Sequence, residues 1–489
     1  MKAKKLVATA AVLATIILTA VLPANATPSY APGDWPMYNR DASGSRYNSA
    51  ETVLTPATVG GLVEKWRWPT AGTYGTPVVV GNTVYAGDFG GVFYALDTAT
   101  GQPRWVAGGN GPITGSALVV GDVVIFGDLL GFIHGLNKNT GLPAWPPIHP
   151  NNGPSAAVYS SPTLAGDKVV IGIASQEELL AFTPGYPCCK FRGSVVALDP
   201  TPPLGASPLL WQRYTITDAE AAAGSAGAGV WSTPTYDAES GLLYVTTGNN
   251  YSAPATLTSD ATIALNANTG AIVWNNQLFP NDIWNFSIPP DPEHPDYDFA
   301  DSPQVYRLVN GRKVVAAGQK SGFLHVMDAT TGTLLHNLQL EPGGLFGGLF
   351  ADSAQADGVT FSNGIDWPGP GGDPGGIAPP AGLGNGHLIA VRSDVPGGLH
   401  EQWRFPTPDS PNMGGVAVAG GVVYFISSRS GTLYALSADT GAVLAAVPLA
   451  PSISGPSVSN GRVYAGVGDA EGAVGGQKTD GAIVALGLP

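Results

Sequence analysis

Short runs in which apolar and polar positions alternate with period two, parted by glycine turns, recur along most of this chain. Residues 78–97, VVVGNTVYAGDFGGVFYALD, read as a strand, a two-residue turn, a second strand, a glycine turn and a third strand. The unit Gly81 to Trp105 ends in Ala-x-Asp-x-x-Thr-Gly followed by Trp, and it returns as Gly121 to Trp145, 40 residues later. Weaker copies begin near Asp167, Ser240, Gly311, Gly384, Gly420 and Asn460. A repeat of this length, present about eight times, sets the architecture before any single residue does.

A sheet of three or four short antiparallel strands cannot bury both faces alone. Stacking about eight of them round an axis does, so the expected fold is all-β, an eight-bladed β-propeller. Asp97 is expected to accept hydrogen bonds in the turn, Gly101 to allow the tight reversal and Trp105 to fill the space between sheets. Asn137, Gly141 and Trp145 repeat the set, as do Asn266, Gly270 and Trp274; His336 stands where the Asp328 unit would carry its Trp. An open solenoid would leave two sheet edges. Closure removes them, and the segment Trp66 to Trp68 is placed to complete the last sheet against Ala482 to Leu486.

Composition narrows the class. Gly at 67 and Pro at 43 of 489 residues suit many turns, and 44% hydrophobic content excludes a disordered chain. Lys2, Lys4 and Lys5 precede the apolar run Leu6 to Leu22, and Ala24-Asn25-Ala26 offers a small-residue cleavage site. Residues 1–26 are therefore read as a signal peptide, residues 27–489 as one propeller domain, and the protein as secreted or periplasmic. No later run has the length and uniform apolarity of a spanning helix. A net charge of −14 weighs against nucleic acid and anionic membrane as partners and suits a soluble protein that meets a cationic one. Insertions at roughly 202–229, 279–302 and 341–383 break the spacing, and long loops on a rigid ring commonly build a binding face.

The two cysteines are neighbours, Cys188 and Cys189. In an exported chain they form a disulfide with each other, remain free thiols, or bridge to another molecule. Neither a zinc pattern nor Cys-x-x-Cys-His occurs, so this chain carries no covalent haem. The seven histidines are scattered and read as surface or turn residues. A glycine-rich dinucleotide fingerprint before a helix is also missing.

The opening DWPMYNRDASGSRYNSAETVLTPATVGGLVEKWRW, then CCKFRGSVVALD, GVWSTPTYDAESGLLYVTTGNN and GQKSGFLHVMDATTG, taken in order, resemble the quinoprotein alcohol dehydrogenases, especially their polyvinyl-alcohol-dehydrogenase-like branch. The resemblance implies an eight-bladed propeller of that type holding pyrroloquinoline quinone (PQQ) and Ca2+. It implies oxidation of an alcohol, secondary and polymeric ones included, by hydride transfer to the calcium-bound quinone, with electrons passing to a separate acceptor such as a soluble cytochrome. Carried over residue by residue, Glu177 and Asn249 match the calcium ligands, with Glu178 as a substitute or partner for Glu177. Trp231 matches the ring lying against the quinone, and Lys320 the cation beside its reactive oxygens. Asp298 matches the catalytic base and a further metal ligand, with Asp296 as runner-up; another alignment puts Asn285 at the base position, where an amide cannot take a proton. Cys188 and Cys189 are expected to reach the cofactor or to brace a loop. The alternative function is a non-catalytic exported propeller that serves as a binding or assembly module.

Overall fold

A computed structural model describes residues 29–150, 155–288, 293–366, 384–393, 398–472, 474 and 478–489. The expected signal peptide lies outside the described residues.

Eight sheets, each built on four antiparallel strands, are arranged in a ring; Tyr47–Asn48 adds a parallel fifth strand to one and Ala156–Ala157 an antiparallel fifth strand to another. Blade 1 comprises Val78–Val80, Thr83–Gly87, Phe93–Asp97 and Pro103–Ala107, and the next three blades begin with Leu118–Val120, Thr163–Ala165 and Thr235–Asp237. Blades 5 to 8 begin with Gln304–Arg307, Ala354–Ala356, Ala417–Ala419 and Ser457–Ser459. These first strands neighbour one another in a closed cycle, blade 8 returning to blade 1. The outermost strand of blade 8 is Val63–Thr70, from near the start of the chain. It pairs with Gly481–Gly487 and sets Trp66 opposite Ala485 and Trp68 opposite Ile483, as the sequence predicts.

Between blades the repeated turn and tryptophan interlock. Asp97 Oδ1 accepts from the Ala99 and Thr100 amides at 2.9 and 3.0 Å. Gly101 then turns back at φ 69° beneath the Trp66 ring of the neighbouring blade, where an added Cβ would lie 2.6 Å from ring carbon. Trp105 covers Gly141 and donates to Lys138 O at 2.8 Å; Trp274 covers Gly332 in the same way. His336 packs against Gly398 at the position where its repeat lacks the tryptophan.

Two insertions prove to be partly blade. Residues 202–229 contain the outer strand Leu209–Tyr214 of blade 3, whose Trp211 covers Gly270. Residues 341–383 contain the first two strands of blade 6, Ala354–Ala356 and Val359–Asp366. The Gly/Pro run lies between the second and third strands of that blade, so the turn of its repeat is Asp357-Gly358 and not Gly384. Two of the seven histidines depart from the surface-or-turn reading that most of them follow. His134 and His325 are buried, His134 because Asp128 takes its ring nitrogen at 2.8 Å, whereas burial alone pushes His325 down to about 4.

Along the axis the ring is layered. In blade 4, Trp231 faces a cavity, Thr233 hydrogen-bonds to neighbouring blades, and Tyr236 donates its amide to Ala42 O of an irregular N-terminal segment. That segment continues round the floor: Val119, Val305, Gln355 and Val418 donate to Pro36, Ser43, Ser45 and Arg46 in turn.

The Trp–Gly contact can be separated from backbone strain. Gly141 and Gly241 have nearly the same φ, 72° and 71°, but only Gly141 faces a ring, Trp105 at 2.6 Å, while Gly241 has open space. Gly241→Ala is expected to cost about 1 kcal/mol, the left-handed penalty alone, and Gly141→Ala about 3 kcal/mol once overpacking is added. Chemical denaturation of both variants checks this; equal losses would show that the tryptophan contact is soft.

Candidate functional site

At the end of the ring opposite the N-terminal segment, loops of blades 3 to 8 surround a cavity of about 630 Å³. The strand Lys168–Ser175 of blade 3 runs into a short helix, Glu177–Leu180, which turns successive glutamates to opposite sides. Blade 4 contributes Trp231, just before its first strand, and Asn249, just after Leu242–Thr246. The loop entering blade 5 carries Asp296 and Asp298, and the turn after Lys313–Gly318 carries Lys320. Lys320 N donates to Asp298 O at 2.9 Å, so backbone pairing brings these two loops together.

At the base of the cavity one cation faces several acids. Lys320 Nζ lies 2.7 Å from Asp296 Oδ2 and 3.1 Å from Asp298 Oδ2, all three side chains being buried. Asp298 Oδ1 accepts the Asn249 amide at 2.6 Å, so both its oxygens are engaged. Asn249 Nδ2 donates to Trp284 O at 2.9 Å, leaving its Oδ1 to face the cluster. Among the described residues, Glu178 Oε1, Asn249 Oδ1 and Asp296 Oδ1 are buried oxygens without hydrogen-bond partners. Burial first, then the Asp298 charge, pushes the Glu178 carboxyl up to about 8 against the pull of Lys320, and the Asn249 amide beside it favours the ionised form. Burial opposes the Lys320 charge, yet Asp296, Asp298 and Glu178 outweigh it and hold that ammonium above its usual value.

These groups fit a metal and a planar cofactor. Three carboxylates face one ammonium in a buried space, so one negative charge stays uncompensated with Glu178 protonated and two with it ionised, a costly state that a bound cation relieves. Of the unpartnered atoms, Glu178 Oε1 and Asn249 Oδ1 are hard oxygen donors of the kind Ca2+ takes, and Asp296 Oδ1 stands free beside them. Above them, the Trp231 ring has Lys320 Nζ 5.6 Å from its centroid and Phe350 5.9 Å away, forming an aromatic wall next to the charged base.

Asn249, Trp231, Lys320, Asp296 and Asp298 line one cavity. The structure sets Glu177 apart. Glu177 turns away from the cavity, where its carboxylate accepts the Lys190 and Phe191 amides at 2.8 and 2.6 Å and the Tyr186 hydroxyl at 3.1 Å. The carboxylate that faces Asn249 is Glu178. Cys188 and Cys189 belong to the loop that Glu177 holds; their sulfurs lie against each other across a cis peptide bond, Cys188 is exposed, and neither lines the cavity. Of the two expectations for this pair, bracing a loop is the one its position matches. Asn285 also lies off the cavity. Its Nδ2 donates to Tyr251 O and its Oδ1 accepts from Ser287, so its amide serves the loop.

Several contributors carry no sequence signal. Asp282 Oδ2 accepts the Tyr297 amide at 2.8 Å and so holds the turn between Asp296 and Asp298, with Asp296 at φ 62°. Asp260 is buried without a partner for either oxygen; burial, then Asp282, raises it well above the usual carboxyl range. Leu345, Phe346 and Phe350 come from an insertion whose composition does not reveal which residues turn inward.

Comparison with known proteins agrees with this fold. The family model described as the PQQ glucose/ethanol/alcohol dehydrogenase β-propeller domain matches residues 35–116 and 148–342, more than half of the chain. A model for the outer membrane protein assembly factor BamB matches residues 391–484. A polyvinylalcohol dehydrogenase from Pseudomonas sp. is 29% identical over 487 residues, covering 88% of this chain and 73% of the relative. Another, from Sphingopyxis sp. (strain 113P3), is 28% identical over 68% of this chain, which spans about half, 54%, of that relative. Among solved structures, the quinohemoprotein alcohol dehydrogenase from Comamonas testosteroni superposes with a TM-score of 0.73 at 20% identity, covering 93% of this chain and 80% of its own. A europium-containing methanol dehydrogenase does so with a TM-score of 0.73 at 17% identity, covering 94% and 98%. With that family model matching more than half of its residues, the chain belongs to the PQQ β-propeller family of the glucose, ethanol and alcohol dehydrogenases.

Proposed function

We propose that this protein is an exported PQQ-dependent alcohol dehydrogenase. The observation that carries the reading is the buried cluster of Glu178, Asn249, Asp296, Asp298 and Lys320, with its unpartnered oxygens beside the Trp231 ring. Glu178, Asn249 and Asp298 would hold the cation, Trp231 would lie against one face of the quinone, and Lys320 would stand by its oxygens. When bound, the quinone supplies a two-electron acceptor and the cation a Lewis acid.

The chain's own residues divide the remaining work. Asp296 takes the proton from the alcohol hydroxyl, since its Oδ1 is free while both Asp298 oxygens are engaged. Lys320 fixes Asp296 through Oδ2 and steadies its charge. This moves the base from Asp298 to its runner-up and keeps Asp298 on the metal side. Electrons leave to a separate acceptor such as a soluble cytochrome, a basic one being steered by the net charge of −14. Among the described residues no helix is long and apolar enough to cross a membrane.

Calcium is the first choice of cation. A trivalent ion is the second choice, the europium of the methanol dehydrogenase of like fold being an ion of that kind.

An absorbance titration of the purified protein with PQQ, with Ca2+ or Eu3+ and with chelator, tests the reading. Cation-dependent binding followed by alcohol-driven dye reduction is expected; no binding under any condition would leave a non-catalytic propeller. Asp296→Asn is expected to retain PQQ and cation binding and lose at least about 100-fold in kcat, whereas Glu178→Gln and Asp298→Asn weaken cation binding first. Wild-type turnover in Asp296→Asn would return the base to Asp298.

The Glu178 carboxyl gives a pH signature. Its value in the folded protein, about 8, lies above the ordinary 4.5, so folding favours the protonated form. Without cation, the Glu178 contribution to stability is fully present below about 4.5 and is lost as pH rises through about 8. A bound cation matches the ionised carboxylate and removes the fall. Thermal unfolding between pH 5 and 9 with chelator, then with saturating cation, should give a falling Tm in the first series and a flatter one in the second; parallel curves would separate Glu178 from the cation.

A further inference from the structure

We infer that this chain has a second buried cation site, formed by Asp260 and Asp282 behind Asn249, which takes a hard divalent ion of the calcium kind. It goes beyond the dehydrogenase reading and needs no quinone. Both residues are fully buried, and neither lines the cavity. Asp260 leaves both carboxylate oxygens without a hydrogen-bond partner, and Asp282 leaves its Oδ1. Thr262, two residues beyond Asp260, buries a hydroxyl that also lacks one.

Backbone pairing ties the two acids to the residues on either side of Asn249. Asp260 N donates to Gly248 O at 3.1 Å, Asn250 N to Asp282 O at 3.2 Å, and Trp284 N to Asn250 O at 2.9 Å. Asp298 lies on the cavity side of the same segment, its Oδ1 taking the Asn249 amide at 2.6 Å. Burial, then the Asp282 charge ahead of those of Asp298 and Asp296, raises the Asp260 carboxyl, which agrees with Asp282 being its nearest acidic neighbour.

The charges point the same way. Lys320 together with a divalent ion on Glu178, Asn249 and Asp298 offsets the three acids of the first cluster, Glu178, Asp296 and Asp298. Asp260 and Asp282 then remain as two buried carboxylates without a cation, a state costly enough to draw in an ion or a proton. Three partnerless oxygens on two carboxylates favour the ion, since one shared proton satisfies two of them at most. Asp282 also accepts the Tyr297 amide between Asp296 and Asp298, so an ion here stiffens both the Asn249 segment and the acidic turn.

Metal analysis of the purified protein equilibrated with Ca2+ and PQQ tests the proposal. About two Ca2+ per chain are expected in the wild type, about one in Asp260→Asn and in Glu178→Gln, and none in the double variant. The ion left in Glu178→Gln should stay bound without PQQ. If Asp260→Asn holds as many ions as the wild type, the site is overturned and a proton is shared there instead. Where a variant does not fold, wild-type crystals grown with Eu3+ decide: an anomalous peak beside Asp260 and Asp282 is expected, and a peak at the Glu178 cluster alone overturns the proposal. A protein that binds no PQQ yet loses one Ca2+ on Asp260→Asn overturns the dehydrogenase reading and keeps this site.

Discussion

A belt of hydrogen bonds between the entrances of neighbouring blades fixes the radius of this ring, and the site depends on that radius. The Ser116 amide donates to Ser161 Oγ, Ser161 to Thr233 Oγ1, Thr233 to Ser302 Oγ and Ser302 to Asp352 Oδ1, at 2.6 to 3.2 Å. Val416 N continues the belt to Asp352 O. Arg46 then spans the remaining blades, donating to Val416 O, Pro456 O and Thr76 Oγ1 from a fully buried position stacked on Tyr38 at 4.5 Å. Hydrophobic clusters lie between blades and hold them face to face, but they are non-directional. The belt adds direction, because a buried amide without its partner costs on the order of 1–3 kcal/mol.

The cavity sits one layer from this belt. Trp231 is two residues before Thr233, and Asp298 four before Ser302, so the belt sets where the quinone platform and the acidic turn emerge. Loop residues placed by a rigid scaffold can be held in an unfavourable arrangement, here several acids round one lysine. The same buried charge that weakens the empty site makes it selective for a cation, and the tryptophan-on-glycine contacts at the rim keep the blades from opening to relieve it.

Much of the fold was legible because the propeller repeats its signals. Alternating strands, the Asp-x-x-Thr-Gly turn and the following tryptophan gave the blade, its count and the closure of Val63–Thr70 on Gly481–Gly487. The start of blade 6 is hard to place because the Gly/Pro run separates its second and third strands in the sequence, and Trp211 is hidden because an insertion shifts it out of period. Of the site, Asn249, Trp231, Asp296, Asp298 and Lys320 stood in recognisable strings. The choice between Glu177 and Glu178 did not, since adjacent residues of a one-turn helix differ only in direction, and that depends on the Lys190 and Phe191 amides capturing Glu177. Asp282 and Phe350 act through loops whose paths no local pattern records.

The central claim is that the Glu178 cluster is completed by a cation and a quinone. A crystal structure of the protein grown with PQQ and Ca2+ or Eu3+, with the metal located by its anomalous signal, tests it directly. The account predicts one cation in contact with Glu178, Asn249 and Asp298 and a planar density on Trp231. A metal held by Glu177, or an empty cluster beside saturating PQQ and cation, would contradict it.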